Sequence, residues 1–446
     1  MTTLASQTPA SEHIGSYYAA SRNDMTQRPV ADGNIDVDIC VIGAGFSGLS
    51  TALHLLEKGH SVTILEASRV GWGASGRNGG QMINGLNAGI DKVHRLYGAE
   101  AAATVASVMQ TGGGIIRRIA TDYRIDCDIR DHAIYAACTD KHLRELEQMR
   151  TLWRQYGIDD AELLDHNDIQ RHIDTRVYRG GMLDRSAGHL HPLNLALGEA
   201  RAIESMGGNI FEQSRVEEIT LPRSQPGAAE SSTSETITVR TAQATVRCSR
   251  LVICGNAYLG KALPELSKRV LPVSTQIVAT EPLEATLAAS LLPGGACVED
   301  TRYILDYYRI SADNRLLFGG GSLYGGREPA DIAATLRPNL EKVFPQLTGI
   351  PLEFAWSGNF ALSYTRVPQL GRLHDNVYFA HGYSGHGVTG THLFGRILAE
   401  AIDGQSDLFD FFSALKWRSF PGGQRYGAAY STVGAWWYGL RDRLGW

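Results

Sequence analysis

The chain has 446 residues, of which 43% are hydrophobic, enough for a large core and two or three domains. Its 42 basic and 47 acidic residues are scattered and sum to a net charge of −5, which excludes a nucleic-acid footprint. The six cysteines, Cys40, Cys127, Cys138, Cys248, Cys254 and Cys297, include no CxxC pair, so neither a zinc framework nor a redox dithiol is indicated and reduced, buried thiols are expected.

The N-terminal arm, residues 1–35, is polar. No apolar run reaches the length of a signal peptide or of a membrane span, and a cytoplasmic location is the expectation. Residues 38–42 read as a short buried strand leading through Gly43-Ala44-Gly45-Phe46-Ser47-Gly48 into a helix with Leu49, Ala52, Leu53 and Leu56 on one face and Gly59 as its stop. Residues 62–66 read as the next strand, completing a βαβ unit and implying a parallel sheet. Each glycine has a physical reason, Gly43 for the tight turn, Gly45 for close approach of backbone to a pyrophosphate and Gly48 for packing of helix on strand. Glu66 stands where an acidic side chain accepts hydrogen bonds from ribose hydroxyls, so the unit is expected to bind a dinucleotide.

GWGASGRNGGQ follows at residues 71–81, exposing enough backbone N–H groups to wrap a pyrophosphate and a ribityl chain; a flexible surface loop is the alternative. Leu143, Leu146, Met149 and Trp153 mark an amphipathic helix over residues 140–157, and a second domain is expected to begin nearby. His189 and His191 form an HxH pair without further ligands at metal spacing, so no metal site is expected. Pro192 is placed to open a helix to about Ser205, with strands predicted over 209–213, 237–240 and 251–254 and an exposed loop over 222–235. Further strands are expected between 271 and 318. Within them, alternation over residues 302–310 puts Tyr303, Leu305, Tyr307 and Arg309 on one face. One face of this strand is expected to roof a substrate, its aromatic rings and Trp356 holding a polymethylene amine by apolar and cation–π contact, although such rings are also common core residues.

HGYSGHGVTGTH at residues 381–392 is a second glycine-rich turn, running into a last helix over 388–402. Its backbone N–H groups suit the negative charge that a flavin develops on reduction. His386 is a candidate base, or packs beside a cofactor. The tail, residues 406–446, carries Trp436, Trp437, Tyr438, Leu440, Leu444 and Trp446 beside Arg441 and Arg443, a composition for docking on the body or on a second subunit, with a membrane surface as the alternative.

These motifs in this order, together with GHLHPLNLA at 188–196, GNAYLG at 255–260 and LDYYRISADNRLLFGGG at 305–321, resemble the D-amino-acid-oxidase-like flavoenzymes, a family that includes glycine and sarcosine oxidases. The resemblance runs over almost the whole chain. It implies an α/β fold: a discontinuous Rossmann-like FAD-binding domain (36–95, 185–265 and 360–405) with a second, α+β substrate domain (96–184 and 266–359). It implies that Gly43, Gly45, Phe46, Ser47 and Gly48 hold the FAD pyrophosphate and that Glu66 and Ala67 meet the ribose. Ser75, Gly76, Arg77, Asn78, Gly79, Gly80 and Gln81 would lie along the flavin, Val216 would meet the adenine, and Gly255, Gly385, His386, Gly387, Val388 and Thr389 would complete the site. Sarcosine oxidases follow GYSGHG with a lysine that holds the substrate carboxylate, where this chain has Thr389, which disfavours a small amino acid gripped beside the flavin. Their lysine over the flavin is matched by Leu316 or Leu317, and their tethering cysteine has no counterpart in 360–366. Noncovalent FAD, an amine substrate and oxygen as acceptor are therefore expected. A dehydrogenase acting on a D-amino acid or polyamine and reducing a quinone, and a flavin-carrying sensor, are the alternatives.

Overall fold

The computed structural model describes residues 12–221, 236–260, 263–420 and 423–444. The loop expected over 222–235 lies outside them. Two sheets organise the chain. The first runs, in spatial order, Gln369–His374, Val377–His381, Ala244–Ile253, Gly33–Ile42, Val62–Leu65 and Asn209–Phe211, with the short strands Glu218–Thr220 and Ile237–Arg240 attached at Ala244–Ile253. Its four inner pairings from Val377–His381 to Asn209–Phe211 are all parallel, as the alternation of strands and helices requires. Both faces of Val62–Leu65 are buried, consistent with a sequence of β-branched and apolar residues, VTIL.

The second sheet has nine strands, ordered Leu352–Ser363, Val270–Thr280, Leu316–Tyr324, Tyr307–Ile310, Cys297–Asp300, Arg130–Ala137, Gly180–His189 and Gln81–Met82, with Ala161–Leu164 beside Gly180–His189. Residues 81–82, 185–189 and 360–363, which the sequence pattern groups with the cofactor-binding part, are strand residues of this second sheet.

Three helices stack over the first sheet. Phe46–Glu57 and Gly387–Ile402 approach so closely that a Cβ on Gly395 would stand 2.6 Å from Ser50 Oγ. Pro192–Ser205 opens with proline in its first turn and with His191 accepting the Asn194 N–H as its cap. The helix expected over 140–157 spans Asp140–Gln155, capped by Thr139, which accepts the His142 N–H. Helices Gly89–Tyr97, Ala99–Met109 and Thr111–Asp122 have no counterpart among the elements expected from sequence.

Two sequence expectations are corrected. Only Tyr307–Ile310 of the predicted 302–310 strand is extended. Arg302 bonds both Asp300 and Asp306, and the Asp300 N–H donates to Asp306 O at 2.9 Å, so these charges fold residues 300–306 into a bend. Nor is the helix ending at Ile402 the last: Asp407–Ala414 and Gly423–Leu444 follow it. The second of these lays Ala428 and Ala435 against an apolar cluster with Leu271, Val273 and Tyr324 of the second sheet, leaving Trp436 and Trp437 exposed. No helix among the described residues is long and apolar enough to cross a membrane. All six cysteines are free, and all but the half-buried Cys138 are buried.

Candidate active site

The turn after Gly33–Ile42 is built for close approach. Gly43 has φ +102°, a region that favours glycine, and a Cβ on Gly48 would stand 1.9 Å from Gly43 O. The Phe46 N–H at the helix start donates to Ser75 Oγ at 2.9 Å, which joins this turn to the short 3₁₀ helix Ala74–Gly76. Glu66 directs its carboxylate back at the turn, accepting from the N–H groups of Ala44 and Ser68, both at 2.8 Å; burial nevertheless raises its carboxyl above the usual range.

Two cavities meet here. One, of about 130 Å³, is lined by Gly43, Gly45, Glu66, Ala67, Val216 and Gly255 among others. Arg215, Asn256 and Tyr258 also line it, and sequence reasoning did not single them out. The second, of about 490 Å³, is lined by Arg77, Asn78, Gly79, Gln81, Gly385, His386, Val388, Tyr303 and Tyr307 among others. Ala74 lines both, and Ser75 the first, so the 3₁₀ helix stands between them.

Other expected site residues support these walls without lining either cavity. Ser47 Oγ bonds the Tyr383 hydroxyl at 2.8 Å, and the Phe46 ring packs 5.2 Å from that of His392. Gly76 and Gly80 sit where a Cβ would meet Gly71 O at 2.4 Å and Leu190 O at 2.2 Å. Gly387 opens the helix Gly387–Ile402, and Thr389 turns its hydroxyl away to Ile83 O. Trp356 is buried and donates its indole N–H to Arg77 O at 3.0 Å, which braces the glycine-rich turn from behind. His189 bonds Gly295 O at 2.8 Å and His191 bonds Ser21 Oγ at 3.0 Å.

Within the larger cavity, Tyr307 bonds Thr275 Oγ1 at 3.2 Å, and its ring edge lies where a Cβ on Gly79 would be, 2.7 Å away. His386 is half-buried and held neutral, its pKa lowered to about 4 by desolvation, with Nδ1 bonded to nothing among the described residues. Arg77 stacks over Trp72 at 4.1 Å, donates Nε–H to Trp72 O at 2.7 Å and leaves Nη2 without a partner. Unpartnered polar atoms in a buried wall call for a ligand that supplies the missing bonds. Lys92, Glu299 and Arg366 also line this cavity and were missed from sequence, having no glycine pattern or motif around them. Arg366 carries one signal, φ +68°, which a non-glycine residue holds only when its surroundings fix it.

A βαβ unit with this turn, an acid following its second strand, and two cavities that share Ala74 as a wall fit a dinucleotide whose other end is a flavin. The chain belongs to the family of FAD dependent oxidoreductases, whose model matches residues 38–401, and it is an FAD-dependent enzyme. Over 437 residues it is 47% identical to γ-glutamylputrescine oxidoreductase of Escherichia coli (strain K12), covering 97% of this chain and 99% of that one. It is 38% identical to the probable oxidoreductase OrdL of Haemophilus influenzae, over 97% of this chain and 98% of that one. Its fold matches the crystal structure of glycine oxidase from Geobacillus kaustophilus with a TM-score of 0.69 at 21% identity, over 86% of this chain and 99% of that one.

Proposed function

We propose that this enzyme oxidises the primary amine of γ-glutamylputrescine, consuming oxygen and water and releasing γ-glutamyl-aminobutyraldehyde, ammonia and hydrogen peroxide. The observation that carries the reading is the lining of the larger cavity: tyrosine rings along its wall, and two cations, Lys92 and Arg366, that pair with no carboxylate among the described residues. The similarity to the E. coli enzyme supports it.

In this reading the cofactor-binding domain comprises 36–95, 185–265 and 360–405, supported by the first sheet, whose expected strands lie within those stretches. Gly43, Gly45 and Gly48 clear the space for the pyrophosphate, Glu66 and Val216 face the adenosine, and residues 77–81 and 385–388 flank the flavin. When bound, FAD accepts the hydride that leaves the carbon next to the amine nitrogen. The residues of this chain hold and desolvate the substrate. Tyr303 and Tyr307 pack along a polymethylene chain. Tyr303 is 40% exposed and marks the mouth; the Arg366 guanidinium lies 3.4 Å from its hydroxyl, and Lys92 is close enough to Arg366 for the two charges to interact. A glutamyl carboxylate at the mouth meets these two cations, which fixes the reacting end inside.

A substrate panel with peroxide detection tests the reading. γ-Glutamylputrescine should give the highest kcat/KM, putrescine less, and glycine, sarcosine and D-alanine very little. A preference for a small D-amino acid would overturn the substrate, and turnover with a quinone but without peroxide would overturn the acceptor.

A further inference from the structure

Glu299 is the carboxylate that lines the larger cavity, and it has no part in the binding contacts described above. It sits in the strand Cys297–Asp300, in register with Tyr307 on the antiparallel neighbour and with Tyr135 on the parallel one. Partners in register share a face of the sheet, so Glu299 lies beside Tyr307, whose ring packs against Gly79 of the glycine-rich turn. Gln81 pins that strand to the turn, its side-chain N–H donating to Val298 O at 2.9 Å.

A carboxylate in such a place is normally compensated. Glu299 is not: burial, and next the neighbouring charge of Asp300, push its carboxyl up to about 7, and neither a hydrogen bond nor a cation pulls it back. Asp300 spends its own bonds on Arg302. Tyr135 and Tyr307 on the flanking strands, and Cys297 on its own strand, are all raised by burial and stay neutral near pH 7. Around the cavity His386 is neutral, its pKa lowered to about 4 by burial, and Arg77, Arg302, Lys92 and Arg366 line the same space. Asp306, raised to about 6, bonds Arg302 and Asn339 and does not line the cavity, so Glu299 is the titrating carboxylate that faces it, with no cation paired to it among the described residues.

We propose that Glu299 receives the reacting ammonium group of the substrate and takes its proton. One N–H bond breaks, one O–H bond forms on the Glu299 carboxylate, and an ion pair becomes a neutral amine beside a neutral carboxylic acid. The amine then has the lone pair that hydride loss requires. This rests on the amine reading above. An alkylamine of pKa about 10.4 is neutral in only about one molecule per thousand near pH 7.4, so an internal acceptor lets the enzyme use the abundant ammonium form. Excluding water favours the neutral pair over the charged one.

The test uses the flavin-loaded enzyme with Glu299→Gln and Glu299→Asp, each checked for flavin content and melting temperature. Butylguanidinium, a permanent cation with no oxidisable primary amine, is titrated and its binding read from the flavin spectrum. In the parent enzyme its affinity should rise about tenfold from pH 6 to pH 8, as a carboxyl near 7 ionises. Glu299→Gln should bind it weakly and independently of pH, while Glu299→Asp should keep a pH dependence. In a second arm, kcat/KM for the best amine should rise through about pH 7 in the parent. In Glu299→Gln it should fall about 10²–10³-fold at pH 7 and recover only toward the amine's own pKa. Unchanged butylguanidinium binding, or an unmoved acidic limb, would overturn the proposal. Should no amine reduce the flavin, the amine reading fails, and the guanidinium arm still decides whether Glu299 forms a cation site. Should Glu299→Gln not fold, the displaced limb of Glu299→Asp decides it.

Discussion

His392 Nε2 lies 2.7 Å from Glu199 Oε1, and both side chains are completely buried. The other ring nitrogen, Nδ1, lies 2.6 Å from Val388 O, so the imidazole ties the helix Gly387–Ile402, which begins at the second glycine-rich turn, to the helix Pro192–Ser205. Removing one partner strands the other in the core. His392→Leu or Glu199→Leu should each cost about 3–5 kcal/mol in urea unfolding, and the double replacement should recover much of it. Additive losses in that cycle would show that the two side chains do not act as a pair.

Gly48→Ala places a methyl group 1.9 Å from Gly43 O, which the strained turn cannot yield. The variant should purify colourless or insoluble. A normal flavin-to-protein absorbance ratio would mean that the phosphates bind elsewhere.

Arg366→Gln removes one of the two cations at the mouth that pair with no carboxylate among the described residues. KM for γ-glutamylputrescine should rise about tenfold, with that for putrescine nearly unchanged because it has no carboxylate to lose. Equal effects on both amines would move the glutamyl end away from Arg366.

No cysteine lines the larger cavity among the described residues. Acid precipitation should therefore release FAD into the supernatant, measured by its fluorescence. Flavin retained in the pellet would show a covalent bond through another side chain, with His386 the first to examine.

Burial lowers the pKa of His189, His191 and His381 to about 3 and that of His386 to about 4. Unfolded, each returns to about 6.5, so the unfolded chain binds more protons below that pH. Stability is then full above pH 6.5 and declines as pH falls toward 4, by up to about 2 kcal/mol per imidazole at pH 5. Melting temperature should drop by several degrees from pH 7 to pH 5; a flat profile would place these rings in contact with water.

Local signals made the cofactor-binding unit legible. The glycines at 43, 45 and 48 announce a turn, Pro192 opens its helix, and Glu66 follows a strand that is apolar but for Thr63. The substrate wall was harder. Glu299 acquires its role only when the strand Cys297–Asp300 pairs with Tyr307–Ile310, a relation of register that no spacing within the chain encodes. The bend at 300–306 breaks strand alternation through ion pairs between side chains, which outweigh the β propensity of Tyr303 and Ile304. Helix Ala99–Met109 escaped because alanine fills the face where larger apolar residues would mark a stripe, whereas Gly89–Tyr97 and Thr111–Asp122 do carry stripes, Ile90 with Val93 and Ile115 with Ile116 and Ile119, that the sequence reading passed over.

The burial of the cysteines bears on the survival of the enzyme. Peroxide attacks thiolates, not thiols. Cys40, Cys127, Cys138, Cys254 and Cys297 all have their pKa raised, with burial a cause throughout, and Cys248, although lowered, is tied to Cys40 inside the core. If oxygen is the acceptor, as proposed above, the peroxide released at each turnover would meet almost no sulfur to attack, and the half-buried Cys138 is where self-inflicted damage would begin.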